Sequence, residues 1–261
     1  MPRRFAPAVV FMALILAACG GTQSLVDPKE IITKGLAATA DLTSLHVSAT
    51  VSGNFIEPTS GATIGLDGTT FKGDVATSGQ GHFTFAVPTF LGLAGDLIIS
   101  GTDLYYKTTL TGSKWSHQQI PVPSPGASGS ASASGSLDPK AAALAEIGKL
   151  LAKDGVVTKK LDDVACGDAQ CYHVQVSVPT SAISATPDLA SLKPSDIFGE
   201  ALVVDLLFNR DHLWLTEIST KVDSAKAGSF SAKLTFSAFN LPVTVSAPPS
   251  DQVQEGNLTL P

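Results

Sequence analysis

The sequence predicts an α+β fold: a single strongly curved antiparallel β-sheet, a half-barrel, with helices packed on its concave face. Three observations predict it. Many short segments alternate apolar and polar residues with period two, glycine-bearing turns separate them at short intervals, and two helix-start signals each precede a run of such segments.

Taken in order, Asp27 as N-cap, Pro28 in the first turn and Glu30 closing a capping box start a helix. Its apolar stripe is Ile31, Ile32, Leu36, Ala40 and Leu42. From Leu45 to Phe55 the period changes: Leu45, Val47, Ala49, Val51 and Phe55 fall on one face, and His46, Ser48, Thr50 and Ser52 on the other. That pattern is a half-buried strand. Further strands are expected over 63–75, 80–87, 97–100 and 104–109, with a turn at Gly101-Thr102-Asp103, and Trp115 closes this first half. Short connections of this kind argue for an antiparallel meander.

Residues 121–137, rich in Ser, Gly and Ala, form a flexible insertion with nothing to bury. Asp138-Pro139 repeats the cap-plus-proline device, and Ala142, Ile147, Leu150 and Leu151 carry that helix to a stop at Asp154-Gly155. Strands are expected over 156–164 and 171–178, then a proline-broken stretch over 180–199 holding short helices. A hairpin over 201–208 and 213–222 follows, turning at 209–212, and strands at 230–239 and 241–246 complete the sheet before a tail.

Outside this domain the chain opens with Arg3-Arg4, an apolar stretch from Phe5 to Ala18, and Leu16-Ala17-Ala18-Cys19. A basic start, a short apolar run and small residues at the cut describe a secretory signal, too short to span a bilayer. The cysteine placed straight after them resembles a bacterial lipobox. That resemblance implies a diacylglyceryl thioether on Cys19, cleavage after Ala18, and a further acyl chain such as palmitate on the new amino terminus. Two or more chains hold a protein stably on a membrane. The expected plan is therefore a signal peptide over 1–18, a tether over 19–26, one domain over 27–250 and a tail over 251–261. Its expected address is the extracytoplasmic face of the cell membrane.

With Cys19 acylated, two of the three cysteines remain, Cys166 and Cys171, around a Gly-Asp turn. An oxidising envelope permits their disulfide, and so short a loop limits its stabilisation to about 2 kcal/mol. Losing Arg3 and Arg4 with the signal takes Lys+Arg from 17 to 15 against 23 Asp+Glu, a net charge of −8. An acidic domain repels nucleic acid and anionic lipid headgroups, so neither is an expected partner through bulk electrostatics.

Several segments look like a known group. Leu42 to Gly53, Gly101 to Lys107 with Lys114-Trp115, and Leu234 to Pro249 resemble the LppX/LprG/LprA/LprF lipoproteins of actinobacterial envelopes, half-barrel carriers of the LolA/LolB kind. The 121–137 insertion and the Cys166/Cys171 pair depart from the mycobacterial members. The resemblance implies a monomeric half-barrel whose apolar cavity takes the acyl chains of an envelope lipid or lipoglycan for transport, supplied by an inner-membrane exporter. The inward strand faces would line it: Leu45, Val47, Ala49, Val51, Phe55, Phe83, Phe85, Val174 and Val176. The competing expectation is an envelope sensor or protein-interaction module in which the same residues form a solid core and no lipid binds.

Catalytic chemistry finds little footing. The chain has no Gly-x-Ser-x-Gly elbow, His-Glu-x-x-His or phosphate-cradling glycine loop. His46, His82, His117, His173 and His212 are scattered singly, and Asp67, Asp162 and Asp163 read as turn residues. No enzyme activity, metal or cofactor is expected.

Overall fold

Period-two alternation commits most of the chain to strands, and the backbone joins them into one sheet. The computed structural model describes residues 24–57, 60–76, 79–119, 148–184 and 193–255. After helix α1 (Pro28–Ala40), the first half supplies β1 (Ser44–Ile56), β2 (Thr63–Gly65), β3 (Thr69–Ala76), β4 (Gln80–Val87), β5 (Leu93–Ser100), β6 (Asp103–Thr108) and β7 (Trp115–Gln119). The second half supplies β8 (Val157–Lys160), β9 (Val164–Cys166), β10 (Ala169–Pro179), β11 (Ala201–Asn209), β12 (Leu215–Ser224) and β13 (Gly228–Ser237), and β14 (Val253–Glu255) ends the described chain.

From one edge the strand order is β14-β7-β6-β5-β4-β3-β1-β13-β12-β11-β10-β8, with β2 beside β1 and β9 beside β10. The sheet is curved and unclosed. The seam between its halves is the antiparallel pair of β1 and β13, in register from His46 opposite Ser237 to Gly53 opposite Phe230. The first and last long strands of the domain therefore lie side by side.

The structure differs from the sequence reading in four places. The strand expected over 63–75 breaks at Asp67-Gly68, where Gly68 adopts φ +80° and Asp67 Oδ1 accepts the Gly53 amide at 2.9 Å. The strand expected over 156–164 breaks before Asp163, which pairs with Lys160 at 2.6 Å and Arg210 at 3.2 Å. Residues 241–246 form no strand: Ala238 and Asn240 turn the chain out of the sheet at φ +50° and +59°, and Asn240 Oδ1 accepts the Thr43 amide. The segment placed in the tail instead contributes β14, which pairs parallel to β7, so the sheet is mixed at that edge. The insertion 121–137 and the start of the second helix lie outside the described residues; 148–151 are helical.

The core sits between α1 and the second half. Asp27 caps α1 by accepting the Lys29 amide at 3.0 Å, Pro28 occupies the first turn, and Glu30 pairs with Lys34. The helix packs on β8, β10, β11 and β12, where Ile31, Ile32, Val174 and Phe208 are excluded from water. Leu151, Tyr172, Val176, Val178 and Leu215 complete the cluster. Each such side chain contributes about 1.5–3 kcal/mol of transfer free energy. At the far end of α1, Thr39 Oγ1 accepts the Leu215 amide at 2.8 Å, fixing the helix along the sheet.

Two predictions follow from this packing. A Cβ on Gly35 would lie 2.2 Å from Cδ1 of the fully buried Phe208 ring and 3.0 Å from the Leu213 carbonyl. Alanine favours a helix over glycine by about 1 kcal/mol, but overpacking costs about 1–3 kcal/mol, so Gly35→Ala is expected to lower the denaturation free energy. The second concerns β14, held by His117, which contacts Asp103 at 2.8 Å and Glu255 at 3.3 Å. The hydrogen bonds to Asp103 and then Glu255 raise the His117 pKa above its ordinary 6.5, against a smaller opposing effect of burial. A raised pKa gives a contribution fully present below about pH 6.5 and lost as pH rises through the folded value. Amide exchange at 253–255, corrected for intrinsic rate, should therefore be slower at about pH 6 than at about pH 8, and His117→Gln should remove the difference.

Candidate functional site

Alternation puts every second side chain of a strand on the same face, and the register carries that face across the sheet. Val47 lies opposite Gly73, and the row continues through Phe83, Leu97, Tyr106 and Ser116. In the other direction Ala49 lies opposite Leu234, which leads through Ile218 and Leu206 to Val174. This is the face that carries α1. Leu45, Val47, Ala49, Val51, Phe55, Phe83, Phe85, Val174 and Val176 therefore share one side of the sheet.

They do not share one environment. Val174 and Val176 are packed in the core beneath α1, at 0% and 6% exposure. Leu45, Ala49, Val51, Phe55 and Phe85 are only half-buried, as are their neighbours Phe71, Leu97 and Ile99. Val47 and Phe83 are buried among them. Among the described residues the concave face is thus solid in its second half and only half-covered in its first. A hollow of about 180 Å³ lies where the two meet, lined by Thr39, Ala40, Leu42, Ser44, Leu45, Val75 and Ala76.

Three glycines shape the open half. Gly73 faces Phe83 across the β3–β4 pair, and Gly95 faces Phe85 across the β4–β5 pair. Gly81 lies two residues before Phe83 on its own strand. A Cβ on Gly73 or Gly81 would stand 2.6 Å from the Phe83 ring, and one on Gly95 3.0 Å from the Phe85 ring. Missing side chains let the rings lie down on the sheet, the arrangement known as aromatic rescue of glycine. Phe83 also stacks on Phe71, with centroids 5.1 Å apart and planes 21° from parallel. Flattened rings line the face without standing up into the space above it.

Charge is sorted as sharply as shape. Within β1 and β3 to β7, every Asp, Lys and His lies on the convex face. Four histidines there face a carboxylate on a neighbouring strand: His46 with Asp74 and His173 with Asp205 at 2.9 Å, His117 with Asp103 at 2.8 Å, and His82 with Asp96 at 3.6 Å. His212 instead stacks on Trp214. Among the described residues no three His, Cys, Asp or Glu side chains converge as a metal site. A hollow of about 490 Å³ between the disulfide hairpin and Glu217, Lys233 and Thr235 belongs to the convex side.

Cys19 lies outside the described residues, but the structure shows where the chain leaving it docks. The Leu25 amide donates to the Tyr172 hydroxyl at 3.2 Å, and Lys160 and Arg210 both lie over the Tyr172 ring. Burial pushes the Tyr172 phenol up, yet the Leu25 and Ser24 hydrogen bonds and the Arg210 guanidinium outweigh it and hold the pKa below its ordinary value. Cys166 and Cys171 are bonded, with Cα atoms 5.8 Å apart, across the β9–β10 hairpin.

No protein-family model matches the chain, and no curated protein matches it. Among solved structures it is similar to the Mycobacterium tuberculosis lipoprotein LppX, at 18% identity over 84% of this chain and 100% of that one, with a TM-score of 0.48. It is also similar to LprF from Mycobacterium bovis, at 16% identity over 85% and 98%, with a TM-score of 0.48. Both belong to the group that the sequence resembles. A LolA superfamily protein from Nitrosomonas europaea is a more distant likeness, at 10% identity over 87% and 97%, with a TM-score of 0.27.

Sequence reasoning missed Phe71, Leu97, Ile99 and the three glycines. The signal was available in the short β4–β5 connection, which fixes register and so sets Phe83 opposite Leu97 and Phe85 opposite Gly95. The contrast between the halves gives a stability test. Val174→Trp is expected to cost about 1–3 kcal/mol by overpacking, whereas Val51→Trp should cost less than about 0.5 kcal/mol. Equal losses on chemical denaturation would mean that both halves are equally filled.

Proposed function

We propose that this protein is a membrane-tethered lipoprotein that cradles the acyl chains of an envelope lipid or lipoglycan on the open half of its concave face and passes the lipid onward. The observation that supports it is an apolar, half-buried face, uncharged from β1 through β3 to β7, on strands whose Asp, Lys and His side chains all point the other way. Hydrocarbon needs no charged clamp: each methylene withdrawn from water is worth about 0.8 kcal/mol. The hollow beside the end of α1, about 180 Å³ and itself open to solvent, is below the ~300–1,000 Å³ of ordinary small-molecule pockets, so the cargo lies along an open groove with one chain end in the hollow. Cys19 carries the anchor, and Tyr172 fixes the exit of the tether. One copy of the sheet supplies the whole groove, so a monomer suffices, with an inner-membrane exporter as the source of cargo.

The solid packing beneath α1 favours a second reading, an envelope module that binds a protein partner and carries no lipid. Native mass spectrometry of the lipidated chain, gently extracted from a lipid-containing host, separates the two. The carrier should show acyl-lipid adducts, and Val51→Trp should reduce them about tenfold while the melting temperature holds. Adduct-free protein would favour the interaction module. In the same sample the N-terminal peptide should begin at Cys19 and carry the mass of its acyl groups.

A further inference from the structure

Several large apolar side chains of the described residues are well exposed, and three of them share one end of the sheet: Phe90 at 60%, Leu91 at 83% and Leu110 at 59%. Phe90 and Leu91 lie in the loop 88–92 between β4 and β5, and Leu110 lies in the loop 109–114 between β6 and β7. The two loops are neighbours. The Thr109 amide donates to the Ala94 carbonyl at 2.8 Å, and Thr109 Oγ1 donates to the Gly92 carbonyl at 3.3 Å. We infer that this double fingertip inserts into the surface of a lipid bilayer, with Phe90, Leu91 and Leu110 as its apolar wedge.

Three features of the tip favour a lipid surface over a protein. First, six amides in and beside the tip, those of Phe90, Gly92, Leu93, Thr109, Leu110 and Thr111, already have partners within the protein. Phe90, Gly92 and Leu93 donate to Val87, Pro88 and Phe90 carbonyls, Thr111 donates to the Thr108 carbonyl, and Leu110 donates to Thr108 Oγ1. A loop entering hydrocarbon must satisfy its backbone internally, because no water is there to do so. Second, Leu91 holds a left-handed backbone at φ +53°, a conformation disfavoured for large side chains. Strain of this kind gathers at ligand clamps and similar sites, and here it belongs to a leucine that touches almost nothing. Third, the charge around the wedge suits anionic headgroups. Neither loop contains Asp or Glu, whereas Lys114 is exposed and Lys107 lies beside them over the Trp115 ring; Asp96 lies across from Lys107 in the strand register, and Asp67 adjoins Gly68, which faces Pro88 of the first loop.

The inference is independent of any cargo, since a protein with no lipid in its groove could dock in the same way. The strands that carry the tip are those that carry Phe83, Phe85, Leu97 and Ile99, so a docked tip would set the open half of the concave face at the bilayer.

The test uses the full lipidated chain in vesicles of phosphatidylcholine and phosphatidylglycerol, with lipid in excess so that neighbouring bilayers are also available. With Cys19 acylated and Cys166 bonded to Cys171, Leu91→Cys or Leu110→Cys adds a single thiol for a fluorophore, and Thr50→Cys on the convex face serves as control. Quenching by spin-labelled acyl chains is expected at 91 and 110 and not at 50. Adding Phe90→Ser to the Leu110→Cys chain should reduce that quenching about tenfold, with an unchanged thermal melt. Quenching of all three labels by aqueous iodide alone would overturn the inference. Shielding of the tip labels from both quenchers would place a protein there and would overturn it equally.

Discussion

The structure depends on one unequal contact: α1 lies over only half of the face it is packed against. Its buried pair, Ile31 and Ile32, meets Val174, Phe208 and the β10–β12 strands, and Gly35 lets the Phe208 ring fit beneath the helix axis. That contact consumes the second half of the concave surface as ordinary core. The first half, built from the same alternation, is left with half-buried leucines, valines and phenylalanines. A sheet covered evenly would have no groove, and one covered nowhere would have no core.

The open half survives in water because its apolar content is laid flat and its charge is sent elsewhere. Gly73, Gly81 and Gly95 each remove a side chain where a phenylalanine ring lies down. Glycine inside a strand ordinarily weakens it, so three on one face are explained by what packs over them. On the convex side, cross-strand partners for His46, His82, His117 and His173 keep imidazoles and carboxylates hydrogen-bonded or ion-paired at the surface. The two faces of the same strands thus carry different chemistry, one charged and one apolar.

Much of this architecture is legible in the chain. The N-cap at Asp27, the alternation of β1, the bounds of β4 and the cysteine pair all rest on local chemistry, and local chemistry is what a sequence displays. Where reading failed, a long-range interaction had intervened. The expected strand over 241–246 loses to Asn240, whose side chain accepts an amide from Thr43, nearly two hundred residues away. The residues of the supposed tail find β7, because an unpaired edge of Trp115, Ser116 and His117 was available to them. Val174 and Val176 look identical to Val47 and Val51 in one dimension, and only the position of α1 separates core from groove.

The sequence by itself determined which residues face inward, since a period of two leaves a strand no other choice, and it determined the hairpins, because short turns with glycine fix their own register. It also carried, over residues 3–19, the resemblance to a signal and lipobox from which an anchored, extracytoplasmic protein is expected. Tertiary structure decided how those inward faces are used. A helix of thirteen residues can shield only a few strands of a fourteen-stranded sheet, and which ones it shields follows from shape complementarity around Phe208, a property of atoms far apart in the chain. The same holds for the fingertip: two loops separated by β5 and β6 become one apolar patch only when those strands pair.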